Sequence, residues 1–122
     1  KGKLANQHAD LADIYFDLGF FDEAIEEYAK AVALGRNFAD LHTKLAIAHR
    51  EKGDFEKALE KFQEALEFNP SYIPAYLHLG VTYYMHGDLD KAVEVWQSAL
   101  ATDPDAKTVK VYLDFIRDRR QK

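Results

Sequence analysis

A chain of 122 residues, 48% hydrophobic and 30% charged, can bury about two thirds of its unfolded surface and is too apolar to stay disordered. It has no apolar run near the roughly 20 residues that span a bilayer, so membrane insertion is not expected, and it has no signal-peptide pattern. A net charge of −5 disfavours a phosphate backbone as ligand, and the absence of cysteine excludes disulfides and thiolate metal sites.

In chain order the pattern repeats. Gly19, Gly53 and Gly87 stand 34 residues apart. Leu11, Leu45 and Leu79 keep the same step upstream. Downstream the step is kept by Ala24, Ala58 and Ala92, by Tyr28, Phe62 and Trp96, and by Ala31, Ala65 and Ala99. A fixed period of this length predicts a stacked solenoid, which works through its surfaces rather than through one enclosed pocket.

Each period predicts two helices. The glycine suits a left-handed residue at the end of the first. Asp54 and Asp88 then suit the N-cap of the second. The first period has Phe20 there, so its cap is expected from Asp22 instead. Second helices are expected to end at Gly35-Arg36, Asn69-Pro70 and Asp103-Pro104, and Pro74 falls in the first turn of its helix. The alanine, aromatic and alanine at i, i+4, i+7 place a large ring between two small residues on one face. Ala12, Ala46 and Gly80 supply the matching small position on the first helices. A seventh helix is expected from about Asp105 to Arg120, with Val109, Tyr112, Leu113 and Ile116 on one side. Lys110, Asp114, Arg117 and Arg120 lie mostly on the other. This helix lacks the alanine–aromatic–alanine face and reads as a cap over the end of the array.

These residues resemble the tetratricopeptide repeat. The third repeat matches best, with Tyr76, Leu79-Gly80, Tyr83, Gly87, Ala92, Trp96, Ala99 and Pro104. The second has His42 and His49 at the two upstream aromatic positions, and the first has His8. The resemblance implies an all-α, right-handed superhelical solenoid of antiparallel helix pairs with three units and seven helices. It divides a single domain, 1–122, into repeats at 5–38, 39–72 and 73–106 and a capping helix at 107–122. Because the first residue is Lys1, a segment of a longer protein is expected, cytoplasmic and with targeting signals outside it.

In the family the first helix of each pair lines a concave groove that holds peptides. Carried over by position, the groove receives Asn6, Ala9, Asp10, Asp13, Phe16 and Asp17 from the first repeat. It receives Asp40, Thr43, Lys44, Ile47, Arg50 and Glu51 from the second. The third adds Pro74, Leu77, His78, Val81, Tyr84 and Met85. One end is therefore acidic, the middle mixed and the far end apolar with an adaptable methionine. A histidine at position 78 would make binding pH-sensitive. One subfamily grips the C-terminal carboxylate of chaperone tails with lysines, asparagines and an arginine. The matching positions here are Ala9, Asp13, Lys44, Pro74 and His78, none with the expected residue, so that ligand is not expected.

No chemistry competes with this reading. There is no His-Glu-x-x-His pattern, calcium loop or glycine-rich phosphate loop, so no metal, cofactor or catalytic residue is expected. His8, His42 and His49 read as packing residues in place of aromatics, and His86 as solvent-facing. The last sixteen residues carry six bases and two acids, including Arg117, Arg119, Arg120 and Lys122. Cations near a helix C-terminus complement its dipole, and the patch is too small to imply nucleic acid. The expected function is a non-catalytic protein-interaction scaffold or adaptor. Its partner would carry a basic group for Asp10, Asp13 and Asp17 and an apolar side chain for Val81, Tyr84 and Met85. The alternative is a self-assembling homo-oligomer or spacer unit within a larger scaffold.

Overall fold

The computed structural model describes the backbone of residues 2–35 and 38–120, and the side chains of 4–35 and 38–119. The expectations for Lys1, Arg36 and Lys122, and for the Arg120 side chain, lie outside the described residues. Seven helices follow in order: α1 Gly2–Asp17, α2 Phe21–Leu34, α3 Phe38–Lys52, α4 Phe55–Phe68, α5 Ile73–Met85, α6 Leu89–Thr102 and α7 Lys107–Arg120. No strand occurs among the described residues. The 1–122 span consists of two compact units, Lys1–Pro70 and Ser71–Lys122. The division falls two residues before the boundary expected between the second and third repeats.

In the first unit α1 to α4 pack each against the next. Gly19 and Gly53 adopt φ of 84° and 100°, the left-handed region that ends a helix without a Cβ penalty. The turns are alike. The Phe20 N–H donates to the Tyr15 carbonyl at 2.9 Å, and the Asp54 N–H to the His49 carbonyl at 2.8 Å. The Asp54 carboxylate caps α4 by accepting the Lys57 N–H at 3.2 Å. Phe20 takes nearly the same backbone angles but offers no side-chain acceptor. The cap expected from Asp22 does not form. That residue lies inside the first turn of α2, and its carboxylate pairs with Lys52 at 2.6 Å.

Gly35 ends α2, but in an extended conformation with φ −93° rather than the left-handed one. Its lack of a side chain serves close approach, since a Cβ there would crowd the Ala31 carbonyl, Leu41 and Ala5. Ala12, Ala24, Tyr28, Leu45 and Ala48 form the core of this unit. Ala58, Phe62 and Ala65 on α4 are fully buried, as their spacing predicts.

In the second unit α5 packs on α6, and α6 on α7. Gly87 has φ 88°, and the Asp88 carboxylate caps α6 by accepting the Lys91 N–H at 3.1 Å. Pro74 sits in the first turn of α5. α6 stops at Thr102, ahead of Pro104, and the Asp103 carboxylate then accepts the Asp105 N–H at 3.0 Å. That local turn delays α7 to Lys107, two residues later than expected. Ala92, Trp96, Ala99, Ala106, Val109, Leu113 and Ile116 form one buried cluster. A Cβ on Gly80 would overlap the Trp96 indole, so the small residue is what admits the ring. The indole N–H then donates to the Leu77 carbonyl at 3.1 Å.

Candidate partner-binding surfaces

In the first unit Asn6, Asp10 and Asp17 are exposed on α1, while Asp13 and Phe16 are half-buried. Lys44, Ile47 and Arg50 are half-buried on α3. Phe16, Lys44 and Ile47 meet the Tyr28 ring in a shallow depression of about 100 Å³. Asp13 is engaged from within the protein. The Tyr28 hydroxyl donates to one of its oxygens, and the Lys44 ammonium stands 3.4 Å from the other. Burial first, and then Asp13, push the Tyr28 phenol well above its usual range. The acidic end therefore presents Asp10 and Asp17 more openly than Asp13. Arg50 pairs with Glu51 at 3.2 Å. Thr43 is buried and its hydroxyl donates to the Ala39 carbonyl, so it does not reach this surface.

The first-unit histidines are packing residues. His42 is buried against the Phe38 and Phe68 rings. Its Nδ1 lies 2.7 Å from the Phe38 carbonyl and its Nε2 3.2 Å from Glu64. His8 Nδ1 meets Glu27 at 2.6 Å, and Lys30 meets the other Glu27 oxygen at 3.0 Å. These two hydrogen bonds hold the Glu27 carboxyl below its usual range. Desolvation lowers the basicity of the half-buried His49.

The second unit holds the larger feature. Val81, Tyr84 and Met85 from α5 meet Trp96 from α6 and Val111, Tyr112 and Phe115 from α7 around an open apolar depression of about 440 Å³. Tyr84 meets Phe115 edge-on at 5.9 Å, and Trp96 meets Tyr112 edge-on at 5.3 Å. Such paired rings give rigid walls. The Arg119 guanidinium lies over the Phe115 ring at 5.6 Å, and Arg119 also lines a neighbouring depression with Tyr84, Met85, Gly87 and Leu89.

Three of the six third-repeat positions, Val81, Tyr84 and Met85, thus come together at this depression. Leu77 packs against the α6–α7 core instead, and His78 is half-buried outside the depression's lining. The repeat positions did not point to the α7 residues that line this depression. Val111 and Phe115 are an i, i+4 apolar pair off the packing stripe of Val109, Leu113 and Ile116. That second stripe was the signal available. Among the described residues no group of three or more histidine, aspartate or glutamate side chains is placed to hold a metal ion. No described helix is long and apolar enough to cross a membrane.

A family model described as TPR repeat matches residues 12–50 and 48–87, and one described as tetratricopeptide repeat matches 73–106. No curated protein sequence matches the chain. Several solved structures resemble it. The first TPR of Spaghetti (RPAP3), bound to the HSP90 peptide SRMEEVD, is 24% identical, with a TM-score of 0.85 over 100% of this chain and 99% of that one. The crystal structure of MamA is 25% identical, with a TM-score of 0.80 over 96% of this chain and 68% of that one. The second TPR domain of human RPAP3, in complex with the HSP70 peptide SGPTIEEVD, is 24% identical, with a TM-score of 0.76 over 93% of this chain and 98% of that one. The likeness shows the fold, an all-α solenoid of antiparallel helix pairs.

Proposed function

Because the chain belongs to the tetratricopeptide-repeat family, we propose that it is a non-catalytic protein-interaction module that takes a peptide or partner segment on the faces of its first helices. The observation that carries this reading is the apolar depression walled by Tyr84, Trp96 and Phe115, with Met85 59% exposed at its edge. A globular surface left this apolar signals a partner. Filling the depression with one leucine or aromatic side chain contributes about 1.5–3 kcal/mol. Rigid aromatic walls around an adaptable methionine suit such an anchor.

Two structurally similar domains hold HSP90 and HSP70 peptides, which supports peptide binding as the general mode. A chaperone C-terminal carboxylate remains the wrong ligand for this chain. Asp13 stands at one gripping position and would repel it, and Ala9 and Pro74 have no side-chain donor to offer. The basic anchor of a partner is better met by Asp10 and Asp17 than by Asp13, which Tyr28 and Lys44 engage.

The test is a pull-down with the 122-residue chain, followed by titration of the captured partner against wild type, Tyr84→Ala and Asp10→Lys/Asp17→Lys. Tyr84→Ala should weaken binding about tenfold or more, the scale of one anchor contact. Equal affinity for all three proteins would sink the reading.

A further inference from the structure

The outer face of α1 carries a second surface, distinct from the one above. Leu4, Leu11, Ile14 and Leu18 are exposed by 47%, 39%, 55% and 64%. They run along one side of the helix at the spacing of a buried stripe. The 34-residue register says what such a stripe is for. Leu11 corresponds to Leu45, Leu79 and Leu113, which are 4%, 6% and 2% exposed. Ile14 corresponds to Ala48, Thr82 and Ile116, which are 0%, 1% and 0% exposed. At these two positions only the α1 residues lie open among the described residues, whereas Lys52 and His86, the counterparts of Leu18, are exposed as Leu18 is.

The cover is visible twice. In the first unit Leu45 and Ala48 of α3 pack in one cluster with Ala24 and Tyr28 of α2. In the second unit Leu113 and Ile116 of α7 pack in one cluster with Ala92, Trp96 and Ala99 of α6. In both cases the stripe meets a helix whose face is small, aromatic and small at i, i+4, i+7. A second copy of this chain has no such face to give. Ala24, Tyr28 and Ala31 are at most 3% exposed, Ala58, Phe62 and Ala65 are fully buried, and Ala92, Trp96 and Ala99 are at most 2% exposed.

We propose that the Leu4–Leu11–Ile14–Leu18 face of α1 is a docking site for an amphipathic helix with an alanine–aromatic–alanine face, supplied from outside residues 1–122. The occupant is the second helix of a further repeat. Its aromatic ring joins Leu11 and Ile14 in one apolar cluster, as Trp96 does with Leu113 and Ile116.

The test uses the intact chain and a synthetic peptide with the α6 sequence, Leu89–Thr102. Methyl NMR follows Leu11, Ile14, Leu113 and Ile116 during titration. Saturable shifts at Leu11 and Ile14 are expected. They should be lost with Ile14→Lys in the chain and, independently, with Trp96→Ala in the peptide. Circular dichroism of Ile14→Lys should remain that of wild type, since the side chain is exposed. Shifts at Leu113 and Ile116 alone, or no saturable shift, would overturn the proposal. So would a rise in mass with concentration that Ile14→Lys abolishes, because the occupant would then be a second copy.

Discussion

Gly80 and Trp96 show how one atom decides packing. The indole lies where a Cβ on residue 80 would stand, and its N–H is fixed by the Leu77 carbonyl. The ring therefore has little freedom to yield. Gly80→Ala should destabilise the protein by about 1–3 kcal/mol despite the better helix propensity of alanine, as a lower urea midpoint with unchanged slope will report. His49 makes the opposite point, a polar residue in a packing position. Its Nδ1 is buried with no hydrogen-bond partner among the described residues. Burial lowers its basicity below the ordinary value of 6.5. The unfolded chain then binds the proton more readily, so this contribution to stability is present above pH 6.5 and lost as pH falls through the folded value. The wild-type urea midpoint should fall more steeply than that of His49→Tyr between about pH 7 and pH 5. Parallel curves would show that His49 is hydrated. That His49 replaces a tyrosine was legible from the register, but its desolvation was not, because the register does not report how closely neighbouring helices pack.

At the scale of elements, three similar turns differ in one residue. Phe20, Asp54 and Asp88 share backbone angles within a few degrees, yet only the two aspartates cap the helix that follows. Phe20 is 52% exposed and gives up little burial if replaced. Phe20→Asn should supply the missing acceptor and raise stability by about 0.5–1 kcal/mol, after the loss of its edge contact with Tyr15. Asparagine is the better choice, because Asp22 and Glu23 already crowd this turn with negative charge. A thermal midpoint at or below wild type would refute the capping argument. The Asp54 and Asp88 caps and the ends of the second helices were legible because they depend on neighbours in sequence, whereas the cap expected from Asp22 does not form. The two faces of α7 were only half legible. Val109, Leu113 and Ile116 announce a buried stripe, whereas Val111 and Phe115 become a wall only through Tyr84 on another helix.

For the whole molecule, acidic and apolar surfaces belong to different units, so a partner using both should show two kinds of dependence. Asp10 and Asp17 are exposed, and their attraction for a basic group should fade as salt rises from about 0.05 to 0.5 M. The contribution of Tyr84, set by apolar burial, should persist. Titrating Asp10→Lys/Asp17→Lys and Tyr84→Ala at both salt concentrations separates the two. A Tyr84 effect that vanishes with salt would mean that the depression is not the anchor.

The 34-residue repeat by itself determined the helix pairs, their turns and the small–large–small contacts between them. These follow from periodicity and from the backbone demands of glycine, proline and aspartate, which act over a few residues. Tertiary structure decided which carried-over residues remain available to a partner. Asp13 lost its openness to Tyr28 and Lys44, and Thr43 to the Ala39 carbonyl. Phe115 joined the wall of the apolar depression beside Tyr84, and Leu11 was left open where Leu45, Leu79 and Leu113 are covered. Availability depends on what approaches from other helices, and identical positions in a repeat differ in that alone.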